Sequence, residues 1–335
     1  MTSAQWLAQI GIFVVGLMLL MLGAESLVRG AARIARSMGI SSFIVGLTVV
    51  AFGTSAPELG GSLQAAYQGN PDIAVGNVVG SNIANICLIL GMTAIVNPIP
   101  VTLAVVRREV PMMILVSAVG VLAMVNDEVG RLSGVMLVTV LAGYVLRAYF
   151  SGKHEDSEGP VAEVAKELDE ELIRSKSRPL WFNIMLVLVG LVLLVIGSKF
   201  LIDSSVRIAE ALSVPSSVIG LTMIAFGTSV PELATSVVAA LRKQSDIAVG
   251  NVLGSNVFNI LCVLGITAVA SPGPLTVPAD MLRRDAWVML GVAIACVPVM
   301  LTRGKISRAE GAMLLGLYVV YNVVLYIASL PPPGG

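Results

Sequence analysis

Residues 46–91 read GLTVVAFGTSAPELGGSLQAAYQGNPDIAVGNVVGSNIANICLILG, and residues 220–265 read GLTMIAFGTSVPELATSVVAALRKQSDIAVGNVLGSNVFNILCVLG. The two segments align without a gap at a constant offset of 174, and 28 of their 46 positions are identical. Self-similarity of this kind is the signature of an internal repeat. The chain is therefore predicted to consist of two related halves.

The composition places most of the chain in a lipid bilayer. Of its 335 residues, 56% are hydrophobic and 13% are charged, and the mean hydropathy of +0.90 is too high for an ordinary soluble domain. A helix needs about 20 apolar residues to cross the roughly 30 Å hydrocarbon core. Ten stretches meet this requirement and are predicted as spans one to ten: 6–36, 42–68, 71–97, 104–125, 130–150, 180–211, 216–242, 245–271, 281–301 and 306–330.

The count of spans predicts how the two halves are related. Each half contains five spans, which is an odd number, so the second half enters the membrane from the side opposite to the first. The predicted fold is an all-α integral membrane protein with about ten transmembrane helices, arranged as two inverted-topology repeats of five. Its units are a first repeat over 1–150, an acidic connector with a short amphipathic helix over 151–179, and a second repeat over 180–335.

The basic residues predict the orientation in the membrane. With the N-terminus outside, sixteen of the 21 Lys and Arg residues fall on the cytoplasmic side, which is the asymmetry that orients membrane proteins. The first apolar stretch lacks a basic n-region and a cleavage site, so it is expected to be retained as a span. We therefore expect a multi-pass protein of the cell (inner) membrane, with both termini extracytoplasmic and the central connector cytoplasmic.

Two acidic residues lie deep inside predicted spans. Glu58 and Glu232 occupy the same position in the two repeats, about seventeen residues into spans two and seven. An ionisable group at membrane depth costs at least a few kcal/mol and is a functional candidate for that reason. Neither span carries a Lys or Arg on the same helix face that could neutralise its glutamate. Both residues are therefore predicted to belong to a functional site.

Oxygen donors surround both glutamates in the sequence. Ser55 and Glu58 are three residues apart, and Ser81 and Asn85 are four apart, so each pair lies on one helix face. Proline at 57 and 231 is expected to interrupt spans two and seven and to free the carbonyls of the preceding turn. Carboxylate, hydroxyl, amide and carbonyl oxygens are the ligands of hard cations, and calcium takes six to eight of them. The sequence thus predicts a cation site shared by the two repeats.

The paired motifs resemble a known family. AFGTSAPE followed by GNVVGSNIAN, and AFGTSVPE followed by GNVLGSNVFN, are similar to the two alpha-repeats of the cation/calcium exchanger superfamily, on the prokaryotic sodium/calcium antiporter branch. The resemblance implies exchange of Na⁺ for Ca²⁺ by alternating access, with the long first and sixth helices sliding across a rigid core. It also implies that the ions are bound by the side chains or backbone carbonyls of Ala51, Thr54, Ser55, Glu58, Ser81, Asn85, Ala225, Thr228, Ser229, Glu232, Ser255 and Asn259.

Several alternatives stay open at this point. Some relatives carry an aspartate where this chain has Asn259, which leaves the stoichiometry and potassium dependence undecided. An H⁺/Ca²⁺ exchanger or a K⁺-dependent Na⁺/Ca²⁺ exchanger is the main alternative, and a Ca²⁺ channel fits inverted repeats less well. An enzyme is not expected, because the only histidine, His154, lies in the connector and no hydrolytic motif is present.

The expected partners are small inorganic cations and the lipid bilayer. Ca²⁺ and Na⁺ are predicted as transported ions, with no cofactor and no nucleic acid. The sequence leaves the oligomeric state open, and a monomer is compatible with it. The three cysteines are scattered without metal-ligand spacing and are read as small core residues.

Overall fold

The computed structural model describes residues 2–151, 179–212 and 227–329, and it confirms a helical membrane fold. Among these residues, eight helices are long and apolar enough to cross a membrane. The amphipathic helix predicted in the connector, the first part of span seven and Ala225 lie outside the described residues. Where the predicted spans are described, they agree with the observed helices to within a few residues.

The first half is built from continuous helices and from helices with local breaks. Span one is a single helix that begins after a capping box at Thr2, and spans two and three each contain a stretch of π-helix. In chain order the elements are α1 (Ser3–Met38), α2 (Ser42–Val45), a π-helix (Gly46–Val50), α3 (Ala51–Thr54), α4 (Ala56–Tyr67), α5 (Pro71–Ala84), a π-helix (Asn85–Leu90), α6 (Gly91–Val96), β1 (Ile99–Pro100), α7 (Leu103–Met124), β2 (Glu128–Val129) and α8 (Arg131–Ser151).

The second half repeats this pattern where it is described. Its eighth span changes from α-helix to π-helix at Asn259, 174 residues after the same change at Asn85. The elements are α9 (Leu180–Ala211), α10 (Val230–Leu241), α11 (Ser245–Phe258), a π-helix (Asn259–Leu264), α12 (Gly265–Ala270), β3 (Leu275–Thr276), a π-helix (Met281–Asp285), α13 (Ala286–Leu301), a 3₁₀ turn (Thr302–Gly304), β4 (Lys305–Ile306) and α14 (Arg308–Ser329).

Two short antiparallel strand pairs join the halves, and the sequence pattern did not predict them. β1 pairs with β4 through Ile99 and Ile306, and β2 pairs with β3 through Val129 and Leu275. Each strand has two residues, which is too short for the alternation of polar and apolar residues that signals a strand. All four of these apolar residues are buried, so the loops between spans add a tie between the halves.

Spans three and eight form the centre of the molecule. Their most apolar windows are 83% and 89% buried inside the protein, compared with 28% for each of spans one and six. The polar residues predicted on spans three and eight are therefore enclosed by other helices. Spans one and six lie at the periphery, where their remaining surface faces lipid.

The two longest helices, α1 and α9, pack against each other along a seam of glycines. A Cβ atom added at Gly23 would lie 2.8 Å from the backbone nitrogen of Leu194, and one added at Gly16 would lie 2.7 Å from that of Leu201. Gly190 and Gly197 have equally close backbone neighbours on α1. Because Gly16 meets Gly197 and Gly23 meets Gly190, the helices are antiparallel. Small residues at such positions let membrane helices approach at backbone distance.

Candidate functional site

Span two is interrupted where the sequence predicted a break. The helix ends at Thr54, Ser55 adopts φ −83° and ψ 4°, and α4 begins at Ala56 with Pro57 in its first turn. Proline is tolerated there because the first helical N–H groups have no partner within the helix. Glu58 also lies in this first turn, where the free N–H groups and the helix dipole favour a negative charge.

Span seven carries the same interruption. Ser229 adopts φ −87° and ψ 2°, and α10 begins at Val230 with Pro231 and Glu232 in its first turn. Glu58 and Glu232 are buried, and only 1% of the surface of each residue is exposed. Two buried carboxylates therefore lie at the N-terminal ends of two half-helices, one from each repeat.

Spans three and eight place their predicted residues beside these breaks. Ser81, Asn85, Ser255 and Asn259 are all buried, with at most 3% of their surface exposed. The two asparagines mark the points where the α-helix changes to π-helix. Single π-helical turns occur frequently at functional sites because they shift the register of the side chains.

Hydrogen bonds cross between the repeats at the two breaks. The Ser55 hydroxyl donates to Oε1 of Glu232 at 3.3 Å, the Thr54 hydroxyl donates to Oδ1 of Asn251 at 3.1 Å, and the Thr228 hydroxyl donates to Oδ1 of Asn77 at 3.3 Å. Ser55, three residues before Glu58, is thus in contact with the glutamate of the opposite repeat. The structure therefore brings the break of each repeat into contact with residues of the other.

Neither glutamate has a basic partner among the described residues. Ion pairs in the described part of the chain include those of Arg29 and Arg242 with Glu25, of Arg147 with Glu109, and of Arg284 with Asp285. Two carboxylates that share a buried site without a base repel each other and are costly to keep ionised. Either a bound cation or protonation would relieve this cost.

Many oxygens of the site have no hydrogen-bond partner in the described part of the chain. Six of them form three matched pairs from the two repeats, and the seventh is the Ser229 hydroxyl. A buried polar atom left without a partner costs about 1–3 kcal/mol, so such a set is suited to binding a ligand. The atoms are Oε2 of Glu58 and Glu232, Oγ of Ser81 and Ser255, Oδ1 of Asn85 and Asn259, and Oγ of Ser229.

Ala51 is placed beside the same break. Its carbonyl accepts the Ser55 N–H at 3.0 Å, and the Thr54 hydroxyl lies 3.4 Å away. A carbonyl oxygen has two lone pairs, so this contact leaves capacity for a cation. The carbonyl of Gly227, which Pro231 was expected to free, instead accepts a hydrogen bond from Ser198 at 3.0 Å. The Gly227 carbonyl is therefore hydrogen-bonded to a side chain of α9.

Asn77 and Asn251 lie at the breaks but are not among the residues predicted from the sequence. The Nδ2 atoms of Asn77 and Asn251 donate to the backbone carbonyls of Glu58 and Glu232, at 3.2 Å and 3.4 Å. A signal for them was present. Asn77, Ser81 and Asn85 are spaced by four residues and form one polar stripe on an otherwise apolar span, and the stripe recurs at 251, 255 and 259.

The chain is similar in sequence and in fold to several known proteins. The family model "Sodium/calcium exchanger protein" matches residues 8–150 and 182–327. The putative antiporter CaxA of Alkalimonas amylolytica is 40% identical over 315 residues, which cover 93% of this chain and 97% of CaxA. The inner membrane protein YrbG of Escherichia coli is 36% identical over 322 residues, 95% of this chain and 97% of YrbG. A solved structure of the sodium-calcium exchanger NCX_Mj superposes with a TM-score of 0.79 at 31% identity, covering 95% of this chain and 98% of the other.

Proposed function

The chain belongs to the sodium/calcium exchanger family, and we propose that it exchanges Na⁺ for Ca²⁺ at a site formed by Glu58 and Glu232. Membership of the family makes it a cation/calcium antiporter of the membrane, not an enzyme. The observation that carries the finer proposal is a set of buried oxygens, including those of two carboxylates, that have no hydrogen-bonding or basic partner among the described residues. Such a site needs positive charge and offers the ligands of a hard cation.

Charge balance explains why two kinds of ion compete for this site. Two carboxylates contribute a charge of −2, which one Ca²⁺ or two Na⁺ neutralise. An ion-free site keeps uncompensated charges in a low-dielectric interior, and moving it across the membrane is correspondingly unfavourable. Exchange follows if only the occupied forms change access. The ligands in this proposal are the carboxylates, the hydroxyls of Thr54, Ser55, Thr228 and Ser229, and the oxygens of Ser81, Asn85, Ser255, Asn259, Ala51 and Ala225.

The proposed motion is a slide of α1 and α9 across the remaining helices. The glycine seam supports it, because two helices in backbone contact move as one body. The strand pairs β1–β4 and β2–β3 tie loops of the two halves together outside the seam. In this mechanism α1 and α9 move together, and spans three and eight stay fixed.

The domain organisation and orientation complete the proposal. Residues 1–150 and 180–335 form the two inverted repeats, and 151–179 is a cytoplasmic connector. Both termini are extracytoplasmic, and the protein resides in the inner membrane, as the name of the relative YrbG also suggests. Cysteine accessibility from each side of intact cells, probed at single cysteines placed near residues 2, 165 and 329, tests this orientation.

Flux in reconstituted vesicles tests the proposed function. Calcium uptake is measured under separate outward gradients of sodium, protons and potassium, with equal membrane potential in each case. We expect the sodium gradient alone to drive uptake that saturates with calcium. Uptake driven by the proton gradient, or uptake unaffected by all three gradients, would contradict sodium exchange. Flux at channel rates would identify a pore.

A further inference from the structure

The side-chain amides of Asn77 and Asn251 have only one orientation compatible with their neighbours. One end of the Asn77 amide lies 3.2 Å from the carbonyl oxygen of Glu58 and 2.9 Å from the hydroxyl of Ser62. A carbonyl oxygen only accepts hydrogen bonds, so the atom that faces it must be the NH₂ group. The amide oxygen therefore points to the hydroxyl of Thr228, 3.3 Å away.

The second repeat has the same arrangement with the partners exchanged. The amide NH₂ of Asn251 lies 3.4 Å from the carbonyl of Glu232 and 3.0 Å from the hydroxyl of Ser236. Its oxygen faces the hydroxyl of Thr54 at 3.1 Å, closer than the alternative acceptor, the carbonyl of Ala51, at 3.4 Å. Each asparagine thus links the glutamate of its own repeat to the threonine of the other.

The direction of these hydrogen bonds matters for binding a cation. A threonine hydroxyl has one proton, and an amide oxygen can only accept it. When the proton is donated to the amide, the lone pairs of the hydroxyl oxygen are free for an ion. A carboxylate lies beside one of these breaks, since the Ser55 hydroxyl donates to Oε1 of Glu232 at 3.3 Å. Without the amide, each hydroxyl would turn its proton toward a carboxylate and into the site.

We propose that Asn77 and Asn251 are positioning residues for the cation site, each of which orients the threonine hydroxyl of the opposite repeat so that its oxygen faces the ion. This inference rests on the function proposed above, in which Thr54 and Thr228 are ligands. It also couples the two repeats. Each amide bonds the backbone at the glutamate of its own repeat and the threonine ligand of the other repeat. Groups that orient metal ligands typically contribute a factor of about 10–100 to affinity.

A double-mutant cycle tests the coupling in the full-length protein. Calcium affinity is measured by calorimetric titration of the purified protein for Asn77→Ala, Thr228→Val and the double variant. We expect Asn77→Ala to weaken binding by about 10–100-fold. In the double variant the two losses should not multiply, because the amide acts through the hydroxyl that Thr228→Val has already removed.

The opposite repeat supplies the matched control for the cycle. Thr54 is not the partner of Asn77, so the losses of Asn77→Ala and Thr54→Val should multiply. The pattern reverses for Asn251, which should be coupled to Thr54 and independent of Thr228. Multiplying losses in the Asn77–Thr228 pair would overturn the inference.

A single substitution separates positioning from simple support of the broken helix. Ser62→Ala removes a hydrogen bond of the Asn77 NH₂ group and leaves the contact between the amide oxygen and Thr228 intact. We expect its calcium affinity to stay within about threefold of the native protein. If Ser62→Ala weakened binding as much as Asn77→Ala, the asparagine would have only a structural role. Since these titrations need no sodium gradient, they give a result even if the exchange proves to be driven by another ion.

Discussion

The cation site and the α1–α9 seam are both places where the two halves meet, and their chemistry is opposite. At the site, buried oxygens of matched residues such as Ser81 and Ser255 lack partners within the described residues. At the seam, Gly23 and Gly190 bring two backbones together with no room for a side chain. A membrane interior offers no water to satisfy polar groups. Unpartnered oxygens are therefore available to a ligand, whereas glycine contacts leave no space for one.

Removing a charge from the site should have the largest effect. Glu58→Gln or Glu232→Gln keeps the shape of the side chain and leaves the other carboxylate as the only charge facing a divalent ion. Breaking a buried ionic interaction costs about 3–5 kcal/mol, which corresponds to a loss of more than about 100-fold. Sodium-driven calcium uptake by vesicles measures this loss. Glu128→Gln, an exposed residue of β2, is the control and should exchange normally.

Removing one unpartnered hydroxyl should weaken binding and yet not harm the ion-free protein. Ser81→Ala deletes a ligand and should lower calcium affinity roughly tenfold. It also removes a buried atom without a partner, so the melting temperature without ions should stay equal or rise. Ser117 is a buried serine whose hydroxyl donates to the Met113 carbonyl at 2.9 Å. Ser117→Ala should therefore lower the melting temperature and leave calcium affinity unchanged, and the same result for both serines would contradict the distinction.

The sequence predicted the buried glutamates and the helix breaks better than it predicted the contacts around them. The repeat placed Glu58 and Glu232 at equivalent depths, and proline explained the breaks beside them, because both are local properties of the chain. The bonds from Thr54 to Asn251 and from Thr228 to Asn77 join residues 197 and 151 positions apart. No periodicity reports such pairs, which depend on how the repeats are docked.

The seam shows the same limit in another form. The spacing of seven residues between Gly16, Gly23 and Gly30 is visible in the sequence, as is that between Gly190 and Gly197. A stripe of glycines on one helix does not identify the helix that packs against it. Only the structure shows that α1 packs against α9.

Adding a methyl group to the seam should separate the two long helices. Gly23→Ala puts a Cβ 2.8 Å from the backbone of Leu194, an overlap that needs a shift of one helix. Overpacking of this kind costs about 1–3 kcal/mol and should lower both the melting temperature and the exchange rate. Gly11 lies on the same helix with open space around it, so Gly11→Ala is the control. A neutral Gly23→Ala would show that the seam is not a tight contact.

The smallest effect is expected where the two halves differ by one hydroxyl. Ser198 on α9 donates to the Gly227 carbonyl at 3.0 Å, whereas its equivalent on α1 is Ala24. Ser198→Ala gives this position of the second half the residue that the first half has. It removes one neutral hydrogen bond, which is worth about 1 kcal/mol of stability. Half-saturating calcium should stay within about threefold of the native value. A larger change would mean that the Gly227 carbonyl takes part in binding.

Calorimetric titration of calcium into the purified protein, repeated at increasing sodium concentration, tests the central claim most directly. We predict one calcium ion per chain, an apparent affinity that falls steadily as sodium rises, and no binding heat in the double variant Glu58→Gln, Glu232→Gln. Calcium binding that persists in the double variant, or that is unaffected by sodium, would show that the two carboxylates do not hold the exchanged ions.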